Sequence, residues 1–358
     1  MTVGAPPLPA GAPPTAPDAP DSDPGTDARA LEVLRRHGDH TSAFLAYNDG
    51  VRHFMAPGLD GAIAYRSAAR RHVAQLCGPF TAVSDKSRLL SAFRDFAASR
   101  GWRIAAAQLR RTDAELYAAD GFTVNQLGCS FGIDLHAFTL RGTRFVKTRN
   151  KIARASRLGV EVEELTAGEL RRPEIQRELA RVDSAWLRAK GRHVQELAFM
   201  VGQRGGRGGA HRRLFLARHR GRGVAYVTYS PCFGSRAGWL YDLTRRDPVA
   251  PPGTIELIFH TALSKFQAES CRWLHLGLTP LVGISREHEL SASASRTLHT
   301  LFRALGARGG ALYPARSQEA FKLKWSPRVV EPEYVAFEGR VTLGAVAHLG
   351  RLTRAIPL

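Results

Sequence analysis

The spacing of apolar side chains changes along the chain and divides it into helical and extended stretches. Between Asp85 and Arg100, Leu89, Leu90, Phe93 and Phe96 recur at helical spacing, and Gly101 supplies a stop. A helix containing Leu31 and Leu34 is expected upstream, with Asp27 as its cap. Phe44–Tyr47 and Phe54 read as strands about a turn at Asn48-Asp49-Gly50. Ile63–Ser67 and Arg71–Leu76 follow as strands, with Gly78-Pro79 as a break. Trp102–Gln108, Phe122–Leu127 and Phe131–Leu135 are extended, and Asp113–Ala119 is helical.

A similar run begins near residue 170. The pattern predicts a helix over Glu174–Ala189, then strands over Leu214–His219, Gly223–Ser230 and Gly238–Asp242. A helix over Thr254–Ser270 behind Pro252-Gly253, the strand Trp273–Leu276 and a helix from Ser295 to Leu305 complete it. Such alternation produces mixed sheets with helices packed on their faces. The two runs imply two related α/β units, at 29–140 and 161–340, joined by a basic connecting helix at 141–160 and followed by a tail at 341–358.

Composition adds a partner to this outline. The 358 residues suit two domains, and 44% hydrophobic content is ample for their cores. Residues 1–28 stand apart as a Pro/Ala-rich tail. Eight of the 20 prolines and four Asp, with no Lys or Arg, fall within residues 1–27. That stretch lacks the apolar surface to offset ordering entropy and has neither the basic nor the apolar region of a secretory signal. Removing its four negative charges from the total of +19 leaves +23 on residues 28–358. A field of that sign favours nucleic acid or an anionic membrane surface. The four cysteines, Cys77, Cys129, Cys232 and Cys271, are too few for a disulfide scaffold and too scattered for a zinc cluster, so no metal is expected. No apolar run approaches the roughly 20 residues of a membrane span. The expectation is a cytoplasmic protein.

The charge is densest at 141–157, which carries Arg141, Arg144, Lys147, Arg149, Lys151, Arg154 and Arg157 without an acid. Arg144, Lys147, Lys151 and Arg154 share one helical face, an arrangement suited to a polyanion. A second basic segment, residues 202–213, combines five glycines with four arginines. It reads equally as a loop closing over a substrate and as a plain connection. Arg218-His-Arg-Gly-Arg-Gly223 has the residues of a coenzyme A pyrophosphate loop, but the strand-like Val224-Ala-Tyr-Val-Thr-Tyr229 follows it where a helix N-terminus is needed. A hairpin turn is the better reading. Asp242 and Arg245 end a strand just before a helix, where a carboxylate and a guanidinium can face a cleft. Glu256 falls in the first turn of that helix, a position its charge favours.

Taken in order, Gly238-Trp-Leu-Tyr-Asp-Leu-Thr-Arg-Arg246, Pro252-Gly-Thr-Ile-Glu-Leu-Ile-Phe259, Leu276-Gly-Leu-Thr-Pro-Leu281, Phe321-Lys-Leu-Lys-Trp-Ser-Pro327 and Glu333-Tyr-Val-Ala336 form a pattern. It resembles the C-terminal domain of lysylphosphatidylglycerol synthases, the multiple peptide resistance factor family. Asn125-Gln-Leu-Gly128, Ile133-Asp-Leu135 and Arg149-Asn-Lys-Ile152 are similar to that family's linker region, so the likeness runs over roughly residues 40–337. The resemblance implies an α/β (α+β) fold of two tandem acetyltransferase-like (GNAT) domains, each a mixed sheet flanked by helices. It further implies aminoacyl transfer from aminoacyl-tRNA, with the tRNA as co-substrate and no other cofactor. By matching position Asp242 and Arg245 are the catalytic or substrate-positioning pair. Glu256, Lys322 and Lys324 lie nearby as substrate-binding residues, and Arg144, Lys147, Lys151 and Arg154 meet the tRNA.

Two acceptors are compatible with this reading. The family's lipid-modifying members carry many transmembrane helices, and without one a small-molecule hydroxyl, amine or hydroxylamine is the favoured acceptor, as in antibiotic biosynthesis. A phospholipid such as phosphatidylglycerol is the alternative. The stretch Val341–Leu358, with Val346, Leu349, Leu352 and Ile356 beside Arg351 and Arg354, would then lie peripherally on the membrane. A third reading is a non-catalytic tRNA-binding protein, and a coenzyme A-dependent acetyltransferase is disfavoured by the misplaced glycine loop.

Overall fold

The computed structural model describes residues 24–69, 71–190, 199–308, 315–342, 344–346 and 350. Residues 1–23 of the proline-rich segment and most of the stretch 341–358 lie outside them. Helix α1 (Pro24–His37) leads through a short 3-10 turn (Ala43–Tyr47) to strands β1 (Arg52–Phe54), β2 (Gly61–Ala69) and β3 (His72–Thr81). Helix α2 (Lys86–Ala98), β4 (Arg103–Leu109), α3 (Arg111–Ala119) and β5 (Phe122–Asp134) complete the first run. Helix α4 (Val146–Arg157) connects it to β6 (Val160–Leu165), a one-turn α5 (Ala167–Leu170), α6 (Pro173–Lys190), β7 (Arg213–His219), β8 (Arg222–Cys232) and β9 (Gly238–Arg246). Helix α7 (Thr254–Ala268), β10 (Trp273–Pro280), α8 (Arg296–Arg308), α9 (Ala315–Leu323) and β11 (Val329–Glu338) follow.

All eleven strands join one sheet, in the order β1-β2-β3-β4-β11-β5-β10-β9-β8-β7-β6. Neighbours are antiparallel except β3 with β4 and β9 with β10, each a strand–helix–strand crossover. The last strand of the chain stands near the middle: β11 pairs with β4 on one side and runs ten residues along β5 on the other. Alternate side chains of the strands feed separate cores. Ile104, Ala106 and Tyr334 pack with Phe93 and Tyr117 beneath α2 and α3, while Ala105, Ala107 and Val335 pack with Val33 and Leu34 of α1 on the other face. In the second run Phe215, Val227 and Tyr229 meet Phe259 and Phe266 of α7, and Leu214, Leu216 and Tyr226 meet Leu179 and Val182 of α6. The fold class is therefore α+β, a mixed sheet flanked by helices.

Several local expectations change. Residues 43–47 form a buried 3-10 turn rather than a strand, and β1 pairs with β2 instead. The Asn48 side chain is used elsewhere, donating to Val201 O. Gly78-Pro79 sits inside β3, where the missing amide does no harm, because pairing with β4 ends at Leu76. Phe122–Leu127 and Phe131–Leu135 are one strand: both faces of β5 are covered, which erases the polar alternation. Asp27 lies in the first turn of α1 and pairs with Arg207, so it does not cap the helix. Arg220-Gly221, with φ of 53° and 73°, makes the two-residue hairpin turn expected between β7 and β8.

Candidate functional site

Asp242 lies on β9, beside a bulge that opposes Asp242 and Leu243 to Thr228 of β8. Its side chain is only 3% exposed. One oxygen accepts from the Gly202 amide at 2.6 Å and the other from Ser230 Oγ at 2.5 Å, with Arg212 Nε 3.9 Å away. Burial raises its carboxyl above the usual range, against the pull of Arg212, Ser230 and Gly202. Arg245 faces α6: its guanidinium lies 4.0 Å over the Trp186 ring and 3.7 Å from Asp183, and burial lowers it to about 10.

The segment at 202–212 is a strap tied to both halves. Arg207 donates to the carbonyls of Tyr47, Asn48 and Val51, and Arg212 to Asn48 Oδ1 and Ser230 Oγ. Arg204 reaches Asp183 at 3.1 Å. Gly202 is required for close approach, since a Cβ there would stand 1.8 Å from Asp242 Oδ2. Asp242 thus anchors this strap.

Glu256, Lys324 and Lys151 come together on the opposite face of the sheet. Glu256 Oε1 accepts from Lys324 Nζ at 2.8 Å and Lys151 Nζ at 3.2 Å, linking α7, the turn after α9 and α4. Burial alone would raise this carboxyl, but the two ammonium groups outweigh it and hold it below its ordinary value. Lys322 is turned inward, donating to Gly277 O at 2.7 Å and Leu278 O at 3.0 Å, and burial lowers its pKa to about 7. The structure therefore unites Glu256, Lys324 and Lys151 and leaves Asp242 and Arg245 apart from them.

Thr148 and Ala155 of α4 are buried, and α7 is among the elements packed against this helix. Arg144 (in the turn before the helix), Lys147 and Arg154 are exposed, and Lys147 and Arg154 make no ion pair among the described residues. Lys151 is the exception on that face, since Glu256 engages it.

Sequence reasoning missed a cavity on the sheet. It holds about 270 Å³ and is lined by the segments 39–41, 110–112, 232–236 and 331–333 together with Ser130. Three arginines at it are each matched by an acid: Arg110 with Asp39 at 2.7 Å, Arg236 with Glu331 at 2.8 Å and Arg111 with Glu115 at 3.0 Å. Within it Glu333 is 2% exposed, yet neither carboxylate oxygen has a hydrogen-bond partner among the described residues. Ser130 Oγ, beside it, lies 3.5 Å from Glu331 O. Burial pushes Glu333 up to about 7, against the opposing influence of Ser130 and Lys322. His40 Nδ1 accepts the Ser42 amide, which leaves the proton of the neutral ring on Nε2, 3.8 Å from Glu333 Oε2. Burial, with Arg110, lowers His40 to about 3, so the ring is neutral. Cys232 at the cavity and Ser230 under Asp242 are alternate residues of β8, about 7 Å apart along the strand.

Residues 31–337 match the family described as phosphatidylglycerol lysyltransferase, C-terminal. The chain belongs to this family. An uncharacterized protein of Corynebacterium glutamicum is 24% identical over 307 residues, 83% of this chain, and this chain spans 37% of that relative's length. A crystal structure of the C-terminal domain assigned to a lysylphosphatidylglycerol synthetase from Agrobacterium fabrum superposes with a TM-score of 0.73 at 22% identity, covering 92% of this chain and 95% of that one. The structure of L-PGS from Bacillus licheniformis gives 0.72 at 20% identity, over 93% and 98%. At such identities these likenesses establish the family fold alone. No helix among the described residues is long and apolar enough to cross a membrane, and no group of three or more His, Cys, Asp or Glu there is arranged to hold a metal ion.

Proposed function

We propose that this member of the family is an aminoacyltransferase that takes its aminoacyl group from aminoacyl-tRNA. The acceptor is the hydroxyl, amine or hydroxylamine of a small molecule. An aminoacyl ester is already activated, so its transfer needs only positioning, proton movement and stabilisation of the oxyanion. The observation that carries the tRNA donor is the outward face of α4, where Arg144, Lys147 and Arg154 stand exposed next to the Glu256–Lys324–Lys151 cluster. Lys324 supplies cationic charge of the kind an oxyanion requires, while Arg245 is engaged with Asp183 and Trp186. In this reading Asp242 is a positioning residue that holds the 202–212 strap, and Glu256 keeps Lys324 charged.

The description of the family supports a second reading, in which the same transfer ends on phosphatidylglycerol or another lipid. Incubating the purified chain with a panel of radiolabelled aminoacyl-tRNAs separates the two. Label should move to small-molecule acceptors from a metabolite extract and not to vesicles containing phosphatidylglycerol. Label moving only to the vesicles would select the lipid, and label remaining on every tRNA would remove both readings.

A further inference from the structure

The orphaned polar atoms of the core are not spread evenly. Among the described residues twelve buried side-chain polar atoms lack a partner, and three of them, Thr41 Oγ1 and both oxygens of Glu333, belong to residues lining a single cavity. A buried carboxyl with no donor is costly unless an occupant supplies one. The groups around it narrow the occupant. His40 offers an Nε2–H at 3.8 Å, too long for a bond, and the Ser130 hydroxyl, 3.5 Å from Glu331 O, opposes the upward shift of Glu333 without overcoming it. The other charged groups that influence Glu333 are Lys322 from α9, Arg110 at the end of β4 and Glu331 on its own strand, and each is engaged elsewhere. A hydrogen-bond donor on a small molecule would complete the Glu333 carboxyl. The cavity's 270 Å³ is room for roughly ten non-hydrogen atoms, at about 30 Å³ for each water-sized group.

We propose that this cavity is the acceptor site of the transferase, taking a small molecule that presents a hydroxyl or primary amine to Glu333, which removes its proton as it attacks. The inference rests on the transferase reading and adds a site to it. The acceptor's O–H or N–H bond breaks and its proton passes to the Glu333 carboxylate. A C–O or C–N bond forms at the aminoacyl carbonyl, the ester bond to the ribose breaks, and Glu333 returns the proton to the departing ribose oxygen. No redox partner is needed. His40 is a positioning residue: its tautomer, set by the Ser42 amide, places an N–H on the ring nitrogen 3.8 Å from the carboxylate. A carboxyl titrating near neutrality suits both halves of the proton transfer.

Two measurements test this. In the first, the wild-type chain is treated with a water-soluble carbodiimide and 2-aminoethanol, and the coupled carboxyls are mapped by mass spectrometry. Glu333 is expected to couple with saturable dependence on the amine, unlike surface carboxyls. Absence of coupling at Glu333 overturns the site without recourse to any variant. In the second, Glu333→Gln is compared with wild type in transfer. The expected result is a kcat about 100-fold lower or worse, a smaller change in KM and loss of the pH inflection near 7. A variant with wild-type kcat and pH profile overturns the role of Glu333. Saturable coupling in a wild-type chain that transfers from no aminoacyl-tRNA would support the amine site and sink the transferase reading, so the two failures are distinguishable.

Discussion

Glu333 shows how a single buried group sets a pH dependence. Its folded pKa of about 7 lies above the model-peptide value of about 4.3, so the native state holds the extra proton between those values. The contribution is present at low pH and is lost as pH rises through about 7. Lys322 acts in the opposite sense. Its folded pKa of about 7 is depressed from the ordinary lysine range, so stability recovers as pH climbs above 7 toward that range. Glu333→Gln should therefore be more stable than wild type at pH 8, by on the order of 1–3 kcal/mol, with the difference vanishing below about pH 4. Urea unfolding at pH 8 and about pH 4 measures it, and equal gains at both would refute the assignment. At Asp242 the direction reverses. Asp242→Ala leaves Arg212 buried without its acid and Gly202 without its acceptor, and should cost about 3–5 kcal/mol. The same denaturation reads it, and a loss below about 1 kcal/mol would mean that the strap is held without Asp242.

Helix α4 divides its cations between two tasks. Lys151, though exposed, is paired with Glu256, whereas Lys147 and Arg154 face solvent without an ion pair among the described residues. Replacing Lys147 and Arg154 by Ala should leave thermal stability within the range of ordinary surface substitutions and reduce the slope of log affinity for tRNA against log salt by about 1.5 to 2. Filter binding at several salt concentrations gives the slope, and an unchanged value would remove α4 from the tRNA surface. Most helices and strands of this chain were legible from apolar spacing, because α2, α7 and the outer strands each bury one face. Two of the failures share a cause. Residues 43–47 and the long β5 are buried on every side, so neither shows a period to read. The basic face of α4 was visible in advance, but the capture of Lys151 by Glu256 was not, since the two are 105 positions apart.

At the scale of the molecule the two runs are one sheet, closed by a strand that returns from the end of the second run into the first. Because β11 lies between β4 and β5, it supplies backbone partners to both. A chain ending at residue 328 should lose the cooperative transition of both halves together. Circular dichroism on heating tests this, and a separate transition retained by either half would contradict it. The same connectivity explains why the cavity escaped sequence reading. His40, Arg110, Ser130, Cys232 and Glu333 come from five separate places in the chain. In sequence Glu333 is one polar residue beside a proline, part of the motif Glu333-Tyr-Val-Ala336 that carried the family likeness. Only the pairing of β11 with β5, which opposes Glu333 to Gly128 and Glu331 to Ser130, assembles the site.

Transfer of an aminoacyl group from tRNA to a small acceptor can be followed in a single-turnover reaction: excess purified chain, one radiolabelled aminoacyl-tRNA at a time, and a hydroxyl- or amine-bearing acceptor titrated in. At least one aminoacyl-tRNA should lose its label at a rate that rises and saturates with acceptor, with label recovered on the acceptor. Label that leaves tRNA no faster than in the absence of protein, for every aminoacyl-tRNA and acceptor pair, would contradict it.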